Sequence, residues 1–301
     1  MDTLTRDILR SFQWPRDDVL TCRRPTYWTI SRDLKVSPTA VKDRLDELTS
    51  SGALREVRAI PDLSFGEMTK TYVVAQVSEK SSERLKQKGP LFDFLEATHH
   101  ARTYYPRSGD DFASIVVLHR DKAELENRLA LVREVVGEFP VLFQASAKRR
   151  PVHGELPLLS RKILSVLVKS PFIRVSDLSE RVGVSRKTAA KYLDLLVEQR
   201  AFYLEPAFES AKMTGALPFA VVGPIEEASR RQIEDDFRRE LRENYLVFET
   251  HYEGLLVAAC WADGFSEVKA FYNRALRIRG IGNPMILVPF ETVPNPSVRY
   301  D

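Results

Sequence analysis

Arg186, Lys187 and Lys191 put three long cations on two successive turns of one helix-forming stretch, with Ser185 and Thr188 beside them. Side chains of this type reach phosphate oxygens and guanine edges, which is the chemistry of a helix entering the major groove of duplex DNA. A second stretch, 148 residues earlier, carries Ser37, Thr39, Lys42 and Arg44 in the corresponding region, but with Asp43 and Asp46 on the same face. Its further cations, Arg55 and Arg58, lie on the β-like run after it. These eleven residues are the candidate DNA-binding set, and the structural alternative is an ordinary solvated helix face. His119 and His153 have no His, Cys or carboxylate at metal-ligand spacing, so structural histidines are expected and no metal site. Arg279-Gly280-Ile281-Gly282 reads as a turn, and Cys260, inside the apolar run LLVAACWA, reads as a buried thiol.

The elements that position these residues repeat. A displacement of 148 residues lays Ile30–Ala59 on Leu178–Ala207 without a gap, with identities at Val36, Ser37, Leu45, Asp46, Leu48, Ala53 and Ala59. Upstream, LTRDIL from Leu4 resembles LSRKIL from Leu159. Each copy opens with three amphipathic helices, the third marked by a serine that can cap its first turn, Ser37 or Ser185. This spacing predicts a helix-turn-helix, and the β-like runs Ala53–Ala59 and Ala201–Ala207, each paired with its adjoining C-terminal segment, predict a small hairpin or wing. Beyond them each copy reads strand, helix, strand, strand, helix, strand, with a helix over Ser82–Ala97 interrupted at Gly89-Pro90. That order implies a ferredoxin-like sandwich with helices on one sheet face and the other face open to a partner. The expected fold is therefore α+β: winged helix-turn-helix over 1–66, βαββαβ sandwich over 67–150, a second head over 155–214 and a second sandwich over 215–301.

Composition excludes several classes. With 44% hydrophobic and 29% charged residues, 301 residues are ample for more than one packed core, and two cysteines cannot build a zinc ribbon or a disulfide scaffold. No apolar run approaches a membrane span and the start lacks a signal-peptide core, so a cytoplasmic protein is expected. The net charge of +3 says little by itself, because it resides in residues 1–150 while residues 151–301 sum to zero and still hold Arg186-Lys187. Local placement, not the total, points to DNA.

The sequence resembles a tandem duplication of the Lrp/AsnC family of transcription regulators. The resemblance rests on Ser37–Leu48, on Gly52-Ala53-Leu54-Arg55 leading into Ala59-Ile60-Pro61-Asp62 and Phe65-Gly66, on the strand Tyr72–Val77, and on Gly109-Asp110-Asp111-Phe112. It departs in the second copy, where Arg200 stands in place of Gly52 and Gly254 lacks a following Asp. The resemblance implies sequence-specific binding of double-stranded DNA, a homodimer or higher oligomer through the sandwich sheets, and a small-molecule effector such as an amino acid. It implies no enzyme activity and no cofactor. Sirohaem decarboxylases have the same two-part architecture, and Thr98-His99-His100 and Thr250-His251-Tyr252 are the segments here that resemble them. A protein-interaction module derived from the helix-turn-helix is the third reading.

Overall fold

The computed structural model describes residues 2–11, 26–63, 68–105, 111–147, 156–209, 212–213, 215–241, 245–248 and 252–294. Outside them fall Cys22, Phe65-Gly66, Gly109-Asp110, the basic segment 148–155 and His251; of Arg58, His99 and His100 only the backbone is described. The fold is α+β, and its elements gather into two compact units, residues 1–66 with 150–212 and residues 67–149 with 213–301.

In the first unit, α1 (Thr3–Ser11), α2 (Tyr27–Leu34) and α3 (Pro38–Ser50) lead into β1 (Leu54–Pro61), and α6 (Leu158–Lys169), α7 (Val175–Val182) and α8 (Arg186–Glu198) lead into β6 (Phe202–Phe208). Ser37 Oγ accepts from Ala40 N at 3.0 Å and Ser185 Oγ from Thr188 N at 3.1 Å, so both serines cap as their position suggests. Pro38 at the first turn of α3 gives up no helical hydrogen bond, since that N–H would be an orphan. Both runs expected to form a wing are strands, and what differs among the described residues is their pairing. Instead of each run forming its own hairpin, β1 and β6 pair antiparallel with each other. Alternating residues on such a run specify a buried face but not a partner, and here the partner lies about 148 residues away. The cores merge accordingly: Ala59 and Val57 of β1 pack into the α6–α8 core, and Phe172 stacks on Tyr27 with ring centroids 5.9 Å apart.

The two heads exchange a glycine at each left-handed position. Lys35 (φ 56°) and Gly183 (φ 75°) both end the second helix of their head, while Gly52 (φ 74°) and Arg200 (φ 52°) both follow the third. The departure of Arg200 from glycine thus leaves the backbone conformation unchanged. A Cβ on Gly183 would meet nothing within 4 Å, so Gly183→Ala tests the backbone alone. It should cost about 1 kcal/mol in a denaturant titration, and Lys35→Gly should return a similar amount.

The second unit holds β2 (Thr69–Gln76), α4 (Glu79–Lys88), β3 (Leu95–Tyr105), β4 (Asp111–His119), α5 (Lys122–Val136) and β5 (Val141–Ser146), then β7 (Leu217–Pro224), α9 (Arg230–Glu240), β8 (Tyr245–Phe248), β9 (Leu255–Ala262), α10 (Phe265–Ala275) and β10 (Met285–Pro294). The long helix expected to Ala97 ends at Lys88: Gly89-Pro90 turns into a short 3-10 stretch, because a proline ring cannot continue the helix, and the residues from Leu95 become strand. Both βαββαβ sets join one antiparallel sheet of eight strands in the order β5-β2-β4-β3-β10-β7-β9-β8.

Strand alternation gives this sheet two apolar faces. Val73, Ala75, Ile115 and Val117 meet Leu125, Leu129 and Val132 of α5, and Val221, Ala258 and Cys260 meet Phe237 of α9 and Phe271 of α10. On the opposite face Tyr72, Val74, Phe112 and Val116 from the first set share one core with Val222, Tyr252, Leu255, Val257 and Leu287 from the second. The ends of the sheet are also tied: Ala147 pairs with Tyr252, and Glu253 N donates to Ser146 O at 2.9 Å. The faces expected to seek a partner, within the chain or in another, therefore meet inside one chain.

Candidate nucleic-acid interface

Ala189, Leu193, Leu196 and Val197 fix α8 by burying one stripe, and Leu178 of α7 enters the same core. That leaves Arg186, Lys187 and Lys191 exposed. Among the described residues none of the three has an acidic partner within 4 Å, and the acids of this helix, Asp194 and Glu198, lie in its C-terminal half. Thr188 is held by the cap, its Oγ1 2.8 Å from Ser185 Oγ.

The first head differs. Lys42 Nζ lies 2.6 Å from Asp46 Oδ2, and that hydrogen bond, ahead of the charge itself, raises the lysine above its ordinary pKa. Arg44 is held between Glu47 at 2.8 Å and Asp2 at 2.9 Å. Asp2 is itself fixed, accepting from Thr5 N at 2.7 Å, and this backbone hydrogen bond is the leading cause of its lowered pKa. Arg55 pairs across the ribbon with Glu209 at 2.5 Å. Ser37 is engaged as a cap and Thr39 is exposed. Among the described residues the structure thus leaves Arg186, Lys187 and Lys191 without an acidic partner and places Lys42, Arg44 and Arg55 in ion pairs. Asp46 was visible on the sequence face, whereas Asp2 and Glu209 come from remote segments that no helical spacing could connect.

The histidines divide. His119 Nδ1 lies 2.9 Å from Asp121 O, an acceptor only, so this nitrogen carries the proton and Nε2, 2.7 Å from Thr71 Oγ1, accepts from the threonine. With Ser146 Oγ 2.7 Å from Thr71 Oγ1, all three polar groups are occupied inside the sandwich, a structural role. On the backbone, His99 lies opposite Ser114 and Thr292, and His100 opposite Ala113 and Glu291. Among the described residues no group of three His, Cys, Asp or Glu is placed to hold a metal ion.

Cys260 is 1% exposed, and burial pushes its thiol well above the ordinary range. It should therefore resist iodoacetamide in the folded protein and react only after unfolding, as peptide mass spectrometry would read; rapid native labelling would contradict its place in the core.

The geometry of the second head agrees with an independent comparison. It matches a winged helix-turn-helix DNA-binding family over residues 158–199. No curated protein matches the chain. Over its whole length the chain is similar to the crystal structure of the siroheme decarboxylase NirDL, with 13% identity, TM-score 0.52, and 99% of this chain and 93% of that one covered. The same enzyme in complex with an iron-uroporphyrin III analogue gives 14% identity with the same coverage and TM-score. An AsnC family transcriptional regulator from Agrobacterium tumefaciens is 20% identical over 52% of this chain and 97% of its own, with TM-score 0.32. At such identities the full-length likeness shows the fold. It also overturns the expectation of no enzyme activity, because the structures similar to 99% of the chain are those of an enzyme. Among the described residues no helix is long and apolar enough to cross a membrane.

Proposed function

We propose that the chain is a DNA-binding regulator of the Lrp/AsnC type whose second helix-turn-helix grips duplex DNA, its output set by a small effector held by the sandwich unit. One observation carries this reading: Arg186, Lys187 and Lys191 stand exposed at the start of a capped helix with no described acid within 4 Å. Phosphate binding releases condensed counterions, so the dissociation constant of a fluorescent 30-base-pair duplex should rise steeply with salt. The logarithmic slope should be about 3 or more if each cation meets one phosphate. Absent binding, or binding indifferent to salt, would refute the reading.

A second reading is an enzyme that decarboxylates a sirohaem-like tetrapyrrole. The full-length likeness to a siroheme decarboxylase supports it, and His99 and His100 on β3 are its candidate residues. Visible titration with sirohaem, followed by mass analysis for loss of carbon dioxide, tests it: a shifted spectrum with turnover supports the enzyme, and an unchanged spectrum counts against it.

A further inference from the structure

The register of the β1–β6 ribbon relates the two heads to each other. Val57 lies opposite Pro206 and Arg58 opposite Glu205; Glu56 lies opposite Ala207 and Ala59 opposite Leu204. Under the displacement of 148 residues, Pro206 is the counterpart of Arg58, Glu205 of Val57, Ala207 of Ala59 and Leu204 of Glu56. Exchanging the two copies therefore turns the first pair into the second and the third into the fourth. The ribbon is its own image about a local two-fold axis between Val57 and Arg58, and its flanking helices α3 and α8 are counterparts. Such an axis is what two identical heads would use to read an inverted repeat.

The charges break that symmetry. Along α3, Lys42 and Arg44 face Asp43, Asp46 and Glu47, with Asp2 added on Arg44. Along α8 the cations Arg186, Lys187 and Lys191 precede the acids Asp194 and Glu198. Exposed ion pairs are weak enough to open, so pairing alone would not silence α3. What decides is that the acids stay: a phosphate brought to α3 meets four carboxylates for two cations, and repulsion opposes contact. The match to the DNA-binding family lies on the head that carries α8.

We propose that α8 alone grips DNA and α3 is a non-binding counterpart that completes the ribbon, so that each chain takes one asymmetric half-site of duplex DNA rather than an inverted repeat. This rests on the regulator reading above. The test uses the full chain and a random 30-base-pair duplex library: sequences retained over successive rounds should converge on one asymmetric motif. Binding of the best duplex is then compared for two variants, Lys42→Gln/Arg44→Gln and Arg186→Gln/Lys187→Gln, each checked for native helical content. The first should hold its dissociation constant within about twofold and the second should weaken it about tenfold or more, from two lost phosphate contacts. An inverted repeat, or equal weakening by both variants, would overturn the half-site inference and leave DNA binding standing. No weakening by the second variant would instead remove α8 from DNA, and both readings with it.

Discussion

Replacing Arg186, Lys187 and Lys191 together with alanine is expected to weaken duplex DNA binding about a hundredfold at 0.15 M salt, and to make the salt dependence shallower by nearly three logarithmic units per decade. Both figures follow from losing three phosphate contacts at about 0.9 counterions each. The expected effect on the fold has the opposite sign. Arg186 and Lys187 sit at the first two positions of α8, where the helix dipole presents its positive end, and cations there are disfavoured by roughly 0.3–1 kcal/mol each. None of the three has a described acidic partner to offset this, and alanine is the better helix former. The variant should therefore melt no lower than the native chain while losing its affinity. If these cations were only a solvated helix face, the same variant would gain the stability and keep the binding. Fluorescence anisotropy across a salt series, paired with thermal melting, separates the two.

Much of this arrangement is written locally, and what escapes reading is nonlocal. Ser37 and Ser185 announce their helices because an N-cap is a contact between residues three apart, and Gly89-Pro90 marks the end of α4 because proline acts on its own turn. The α8 cations are legible for the same reason: the stripe Ala189-Leu193-Leu196 fixes which face is free. By contrast, Ala53–Ala59 reads as a strand without naming β6 as its partner, and period-two alternation in β2 shows two apolar faces without saying that Tyr72 will meet Tyr252. The neutralisation of Arg44 by Asp2 joins residues 42 positions apart across two helices, and spacing cannot show it. The enzyme likeness is hidden in another way. At 13% identity most residues differ while 99% of the chain is covered, so the resemblance resides in the fold. Sequence reading identified that architecture and kept the decarboxylase as a second reading, on the segments Thr98-His99-His100 and Thr250-His251-Tyr252.

The core joining the two sandwiches supplies the other large effect, and Tyr252 is the residue that tests it. Its side chain is 1% exposed, its ring lies 5.3 Å from that of Tyr72, and the core it shares draws Val222, Val257 and Leu287 from the second βαββαβ set and Val74 and Phe112 from the first. Its backbone is fixed as well, because Tyr252 O accepts from the Arg230 guanidinium and the residue bridges to Ala147. With the backbone held, the surroundings can collapse little into the space that Tyr252→Ala leaves, so the cost should fall at about 3–5 kcal/mol, as for other large aromatic truncations. Against a total of about 5–15 kcal/mol for a typical domain, that is enough to lower the melting temperature of the sheet unit by about 6–20 °C. Phe271→Ala is the matched control. That side chain is equally buried, with its ring 4.7 Å from Phe219, but it lies between α10 and the sheet within one set, so its loss should lower the same melt without parting the two sets. Tyr252→Ala alone should expose the shared face, binding a hydrophobic dye below the melt and opening new proteolytic cuts between β5 and β7. Equal dye binding by the two variants, or a Tyr252→Ala cost below about 1 kcal/mol, would mean that the shared face is not what holds the eight-stranded sheet together.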